Sequence, residues 1–133
     1  MNVNSIDYQT LFRQEKLDAL FPPQRSNQFF EALFGDSEEG AYDIRLAFKE
    51  CRAGTLLFDL ELHQRPGKCL ACHLTSGLPQ VFERHPIIDI NGLVEQLNRI
   101  MDGRGQCKTW RLGPTREVSR ALHVVPLMID LGS

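Results

Sequence analysis

Residues 68–74 read KCLACHL and bring Cys69, Cys72 and His73 close together. Cys-x-x-Cys-His is the spacing that attaches haem in c-type cytochromes, and a Cys-x-x-Cys pair is half of many zinc sites. Haem attachment is an export-side chemistry. The first 20 residues carry Asp7, Glu15 and Asp18 and lack the basic start and apolar block of a signal peptide. A haem would also need a second axial ligand, for which Met101 and Met128 make no particular case. A zinc knuckle needs both thiolates on one side of a turn, normally with a second pair. The chain has no second Cys-x-x-Cys, and Cys107 stands alone. A thioredoxin-type dithiol sits at a helix start, whereas residues 69–75 follow a strand pattern.

Strand parity changes the reading of the motif. Residues three apart on a strand face opposite ways, so Cys69 and Cys72 do not share a metal. Leu70, Cys72 and Leu74 take the dry side, and Cys69, Ala71, His73 and Thr75 the wet side. A turn through Pro66 and Gly67 would set His63 opposite Cys69 and Asp59 opposite His73. In the next allowed register Glu61 faces His73. The wet face then gathers His63, Cys69 and His73 beside an acid. Such a set can hold a transition metal, or let imidazolium lower the pKa of Cys69. The plainer reading is a half-wet face whose cross-strand pairs avoid like charges, and it is preferred. Arg45 supports it by falling opposite Asp59 or Glu61. No metal or other cofactor is expected.

A second group is basic. Arg99, Arg104, Lys108, Arg111, Arg116 and Arg120 stand against Asp102 and Glu117, with Trp110 among them. The loop GRGQ can bend its amides around an anion, with Arg104, Lys108 and Arg111 as the cations, and an aromatic among arginines can stack on a base. The segment lacks the spacing and the Lys-Ser/Thr end of a P-loop. A pI near 6.1 also argues against a dedicated nucleic-acid binder. Solvated cations beside a helix C-terminus account for the same residues. Neither Gly-x-Ser-x-Gly, nor a dinucleotide fingerprint, nor His-Glu-x-x-His occurs. His85 and His123 are isolated histidines in apolar company and read as packed residues. The chain is therefore expected to be non-enzymatic.

The elements that position these residues follow from periodicity. Asp7 can cap a helix over residues 8–21, which Pro22-Pro23 ends. Pro23 opens a second helix that buries Phe29, Phe30, Leu33 and Phe34 and stops at Gly35. The period then changes to two. Tyr42, Ile44, Leu46 and Phe48 alternate with Asp43, Arg45, Ala47 and Lys49; Leu56, Phe58, Leu60 and Leu62 alternate with Leu57, Asp59, Glu61 and His63. CRAG joins these two strands, and RPGK leads to a third over residues 69–75. Residues 81–90 are ambiguous. A helix capped by Asn91 carries Leu93, Val94, Leu97, Ile100 and Met101 and ends at Gly103. Residues 107–112 and 117–129 read as two more strands around a GPT turn, although Val118, Ala121 and Leu122 also fit a helical turn.

The order is α-α-β-β-β-α-β-β. Helices and strands are segregated, so the class is α+β, with an antiparallel sheet of about five strands and the helices on one face. At the level of fold, this order resembles that of the small dimeric chaperones of type III secretion.

A chain of 133 residues fits one domain, with a helical segment at 1–35 and a sheet with one inserted helix at 41–133. Its hydrophobic fraction of 42% and charged fraction of 24% are those of a soluble globular protein. No apolar run is long enough to span a membrane. Without a leader the protein is expected in the cytoplasm, with its four cysteines as thiols. Residues 1–62 hold 6 Lys/Arg against 11 Asp/Glu, and residues 63–133 hold 9 against 6. Such a dipolar chain can meet an acidic partner through its basic half. Leu57 on the wet side and the stripe of the first helix leave more apolar surface than one sheet face absorbs. The functional expectation is an adaptor- or chaperone-like module that binds another protein, a second copy of itself, or both.

Overall fold

A computed structural model describes residues 8–35, 42–68, 78–103 and 105–132. The class is α+β with a five-stranded antiparallel sheet. Three short helices, α1 (Tyr8–Leu11), α2 (Gln14–Leu20) and α3 (Pro23–Phe34), precede the hairpin of β1 (Tyr42–Arg52) and β2 (Thr55–Gln64). Then come α4 (Leu78–Arg84), α5 (Ile90–Met101), β3 (Gln106–Leu112), β4 (Arg116–Ser119) and β5 (Leu122–Gly132). The strands lie in the order β1-β2-β5-β3, with β4 continuing beside β5 on the β3 side.

The first hairpin follows its sequence pattern. Tyr42, Ile44, Leu46, Leu56, Phe58, Leu60 and Leu62 are buried, and Arg45 stands opposite Glu61. Ala53 and Gly54 form its two-residue turn, both at positive φ (50° and 78°), the mirror-type turn that suits the twist of paired strands. Register shifts beside Lys49 and Lys108 return Cys51 and Cys107 to the inner face, where both pack against the core.

Several expectations change. The helix over residues 8–21 is interrupted at Arg13, whose backbone is extended (φ −61°, ψ 148°). On one continuous helix Phe12 and Leu17 would point well apart. The break lets Leu11, Phe12, Leu17 and Phe21 all reach the core. Residues 117–129 are not one strand: the chain folds back at Arg120 and Ala121, so β4 pairs with β5. The ambiguous segment is resolved in its first part: residues 78–84 form a helix, and Phe82 is fully buried. Asp89, not Asn91, caps α5: its Oδ1 accepts from Gly92 N at 3.1 Å. A side chain at Gly92 would collide with that carboxylate. Asp7 and the strand expected over residues 69–75 lie outside the described residues.

Two features explain how the sheet tolerates its weak points. β1 is an edge strand, and side chains of the helical segment occupy its outward backbone groups. Ser26 Oγ accepts from Ile44 N at 2.8 Å and donates to Ile44 O at 3.4 Å. Gln14 Nε2 donates to Leu46 O at 2.7 Å, and Gln9 Nε2 to Lys49 O at 3.2 Å. An edge satisfied in this way no longer templates another strand. Pro126 lies in β5, a strand with neighbours on both sides, although proline lacks the ladder donor. Its nitrogen faces Gly113, between the end of β3 and the start of β4, where its carbonyl accepts from Gly113 N at 2.9 Å.

One apolar cluster takes residues from Leu11 to Ile129. α1, α2 and α3 pack against β1, and α5 against β3. Every described helix except α4 therefore touches the sheet closely. α4 joins through Phe82, whose ring meets Phe29 edge-on at 5.7 Å. The buried hydrophobic side chains of these helices and of the inner strand face belong to this cluster, which contains none of the outward-facing Leu57, Val124 and Met128. Among the described residues no helix is long and apolar enough to cross a membrane.

Candidate functional site

Of the set His63, Cys69 and His73, only His63 lies among the described residues. β2 pairs with β1 along one edge and with β5 along the other, from Thr55–Asp130 to His63–Leu122. Both ladders of β2 are filled, so the pairing that would bring residues 69–75 against His63 has no free edge. Cys69 and His73 themselves lie outside the described residues. His63 stands on the outer face, its Nε2 2.9 Å from Glu61 Oε1. Among the described residues no three His, Cys, Asp or Glu side chains are grouped as a metal site requires. Cys51 and Cys107 are free thiols, and burial pushes the Cys107 thiol up, away from the reactive thiolate.

The basic segment is also dispersed. Arg104 lies outside the described residues. Arg111 pairs with Asp130 (Nη1 to Oδ2, 3.1 Å), and the Lys108 side chain runs alongside Gly132. Trp110 turns to the other face and donates from Nε1 to Asn91 Oδ1 of α5 at 2.7 Å. The indole is therefore engaged with a helix and does not form a stacking platform beside Arg111. Arg99 belongs to the last turn of α5, and Arg120 to the turn before β5. His85 packs edge-on against Phe29 at 4.9 Å and accepts from Ile87 N at Nδ1. His123 is buried on the inner face opposite Leu62, with Nε2 3.3 Å from Glu117 Oε1.

A cleft of about 400 Å³ lies beside β1, lined by Asp18, Phe21, Asp43, Ile44, Arg45 and His63. Its charged groups already serve the fold. Arg45 grips Asp18 through two nitrogens (3.1 and 3.0 Å), which holds the Asp18 carboxyl below its usual range. Arg65 holds Asp43, and Glu61 meets His63.

The outer face of the sheet is less ordinary. β5 is apolar on both sides. Val125, Leu127 and Ile129 point into the core, while Leu122, Val124, Pro126 and Met128 alternate with them on the outer side. Leu57 stands next to Met128. Leu57, Leu122, Pro126 and Met128 are half-buried, and Val124 is 3% exposed. A strand with one wet face reads as an alternation; a run that is apolar on both sides is the pattern of a strand covered on both sides. Polar groups frame this row. Asp59 and Glu61 follow on β2, opposite Pro126 and Val124, and Arg111 and Arg116 on β3 and β4, opposite Met128 and Val124. At one end Asp130 accepts from Thr55, Thr109 and Arg111, which lowers its pKa, the threonine hydrogen bonds leading.

Asp59 reports on this face. Burial raises its pKa, Lys49 and Arg116 oppose the rise, and Glu61 adds to it. An acid with a raised folded-state pKa costs stability while ionised. That cost is present above the folded-state pKa and vanishes as pH falls through it. Asp59→Asn is therefore expected to raise Tm at neutral pH, with the gain over the parent closing as pH drops through the carboxylate range. Thermal melts across pH measure it; a lower Tm at pH 7 would mean that Lys49 and Arg116 outweigh burial.

The alternation of β2 hides this face, because Leu57 is the one large apolar residue on its wet side. The signal was present in residues 122–129, LHVVPLMI, where the alternation fails. No protein-family model, curated protein or solved structure matches the chain.

Proposed function

We infer that the chain is a non-enzymatic protein-binding module, adaptor- or chaperone-like, that works through the outer face of its sheet. The observation that carries this reading is β5, apolar on both sides while the helices pack into the core cluster on one. Apolar side chains gathered on an outer sheet face, with charged residues at the rim, have the composition of a protein contact. The reading places the protein in the cytoplasm, where thiols such as Cys51 and Cys107 stay reduced.

The test is site-specific cross-linking in the cells that make the protein. A photo-reactive phenylalanine replaces Leu57 on the outer face or, as a control, the exposed Glu31 on α3. A discrete protein adduct from position 57 that is absent from position 31 is expected. Equal capture at both positions, or none at position 57, would overturn the assignment.

A further inference from the structure

The outer face carries a charge layout that selects its partner. One rung of the sheet runs Glu61 on β2, Val124 on β5 and Arg116 on β4, with Val124 paired to both neighbours. The rung toward the β5 end is Leu57, Met128 and Arg111. Acid therefore stands on one flank of the apolar row and base on the other. Neighbouring strands are about 4.8 Å apart, so the two flanks are separated by about 10 Å.

We propose that this face binds a second copy of the same chain, face to face, about a two-fold axis running along β5. The proposal rests on the protein-binding reading above and adds the identity of the partner. Rotation about such an axis exchanges the flanks and keeps each rung at its own level. Pro126 and Met128 then meet their own copies, with the already buried Val124 beneath the contact, and Glu61 lies over Arg116 of the other chain, twice per dimer. Leu57 meets the aliphatic stem of Arg111, which can cover apolar surface while its head stays wet. Asp130 falls near the axis, but at the end of the row, where twisted sheets splay apart. Its charge is met within its own chain by Thr55, Thr109 and Arg111. Two-fold contacts are self-complementary in this sense, and they are the commonest in soluble oligomers. The contact is small. Three strand rows overlap about this axis, β2, β5 and the β3/β4 row, and with the ladder from Thr55 to His63 they give a face of roughly 14 by 30 Å. The accessible area of such a face exceeds its flat projection and lies below the ~800 Å² per partner of a standard interface, in the range of weaker, reversible contacts.

Sedimentation of the full chain tests this. The parent is expected at twice the 15.2 kDa chain mass. Glu61→Arg and Arg116→Glu should each sediment as monomers, because each places like charges across the axis. An equimolar mixture of the two should recover the dimer, since both cross-axis contacts become Arg–Glu again. Recovery on mixing cannot come from contacts within one chain. If either variant loses its far-UV circular dichroism, Met128→Glu serves in its place. It sets two acids against each other at the axis and should dissociate the dimer.

A parent that stays monomeric to about 100 μM would overturn the proposal, as would a dimer untouched by all three variants, or a mixture that stays monomeric. In a monomeric parent, the adduct from position 57 separates the two failures. A different protein captured there leaves the binding reading standing, and no capture removes both.

Discussion

Phe58→Ala is expected to cost about 3–5 kcal/mol of folding stability, the range for emptying an aromatic site in a close-packed core. Phe58 is 1% exposed and sits on the central part of the sheet, opposite Phe48 on β1 and Leu127 on β5. Its ring meets Phe12 edge-on at 5.2 Å and Phe48 at 5.2 Å, a geometry in which ring edges face ring π-clouds. Phe12 directly follows α1, so the ring also ties the N-terminal segment to the sheet. The cavity would lie between elements held by their own hydrogen-bond ladders, which limits relaxation and keeps the cavity cost high. For a chain of this length, that loss lowers Tm by about 10–20 °C. Phe58→Leu keeps most of the volume and should cost about 1–1.5 kcal/mol. Urea unfolding at 25 °C measures both. A loss below 1 kcal/mol for the alanine variant would show that the N-terminal segment does not press on the sheet as described.

The second large effect is expected at Arg65, which closes the far end of β2. Its side chain is 14% exposed, unusual burial for an arginine. Nε and Nη2 both donate to Asp43 Oδ1 (3.1 and 2.9 Å), Nη2 also donates to Asn27 Oδ1 (2.8 Å), and the guanidinium lies 5.2 Å from the Phe30 ring centre. One side chain thus joins β2, β1 and α3. Asp43 is about half exposed, so solvent screens the charge–charge part. What remains is the hydrogen-bond fork and the buried stem over Phe30. Arg65→Ala should cost about 2–4 kcal/mol. Arg65→Lys keeps the charge but not the planar fork and should lose about half of that. Asp43→Ala should cost less than Arg65→Ala, because Asn27 and Phe30 still hold the guanidinium. Chemical unfolding of the three variants ranks them. Equal losses for Arg65→Ala and Asp43→Ala would assign the whole effect to the ion pair.

Local pattern and tertiary context divided the work in a way particular residues make plain. Tyr42–Arg52 and Thr55–Gln64 were legible because a period of two needs no knowledge of the partner strand. Pro23 and Gly35 marked the limits of α3 because both act through their own backbone: Pro23 through a fixed φ, and Gly35 through a left-handed cap at φ 78° whose N–H reaches Glu31 O. The helix over Leu78–Arg84 was only half legible: Val81, Phe82 and His85 fall at helical spacing after Pro79, but the apolar run goes on past Pro86 to Ile90 and blurs the period. The break at Arg13 was not legible, because it exists to turn two apolar clusters toward one sheet. The cap at Asp89 was hidden behind an asparagine two residues later that binds Trp110 instead.

The candidate site divides along the same line. By itself the sequence determined the segregated α+β class, the inner face of the first hairpin and the packed character of His85, because these follow from spacing and from the chemistry of single residues. Tertiary structure alone decided which strand lies beside β2. A hairpin reading put residues 69–75 there, next in the chain, whereas β5 occupies that edge from a distance of some sixty residues. Strand order depends on long-range pairing whose loop-closure cost grows only slowly with separation, so proximity in sequence is a weak guide. That single exchange gives His63 a strand neighbour on both sides, Asp43 on β1 and Leu122 on β5. It also set an apolar strand between an acidic and a basic flank, which is the arrangement on which the proposed dimer rests.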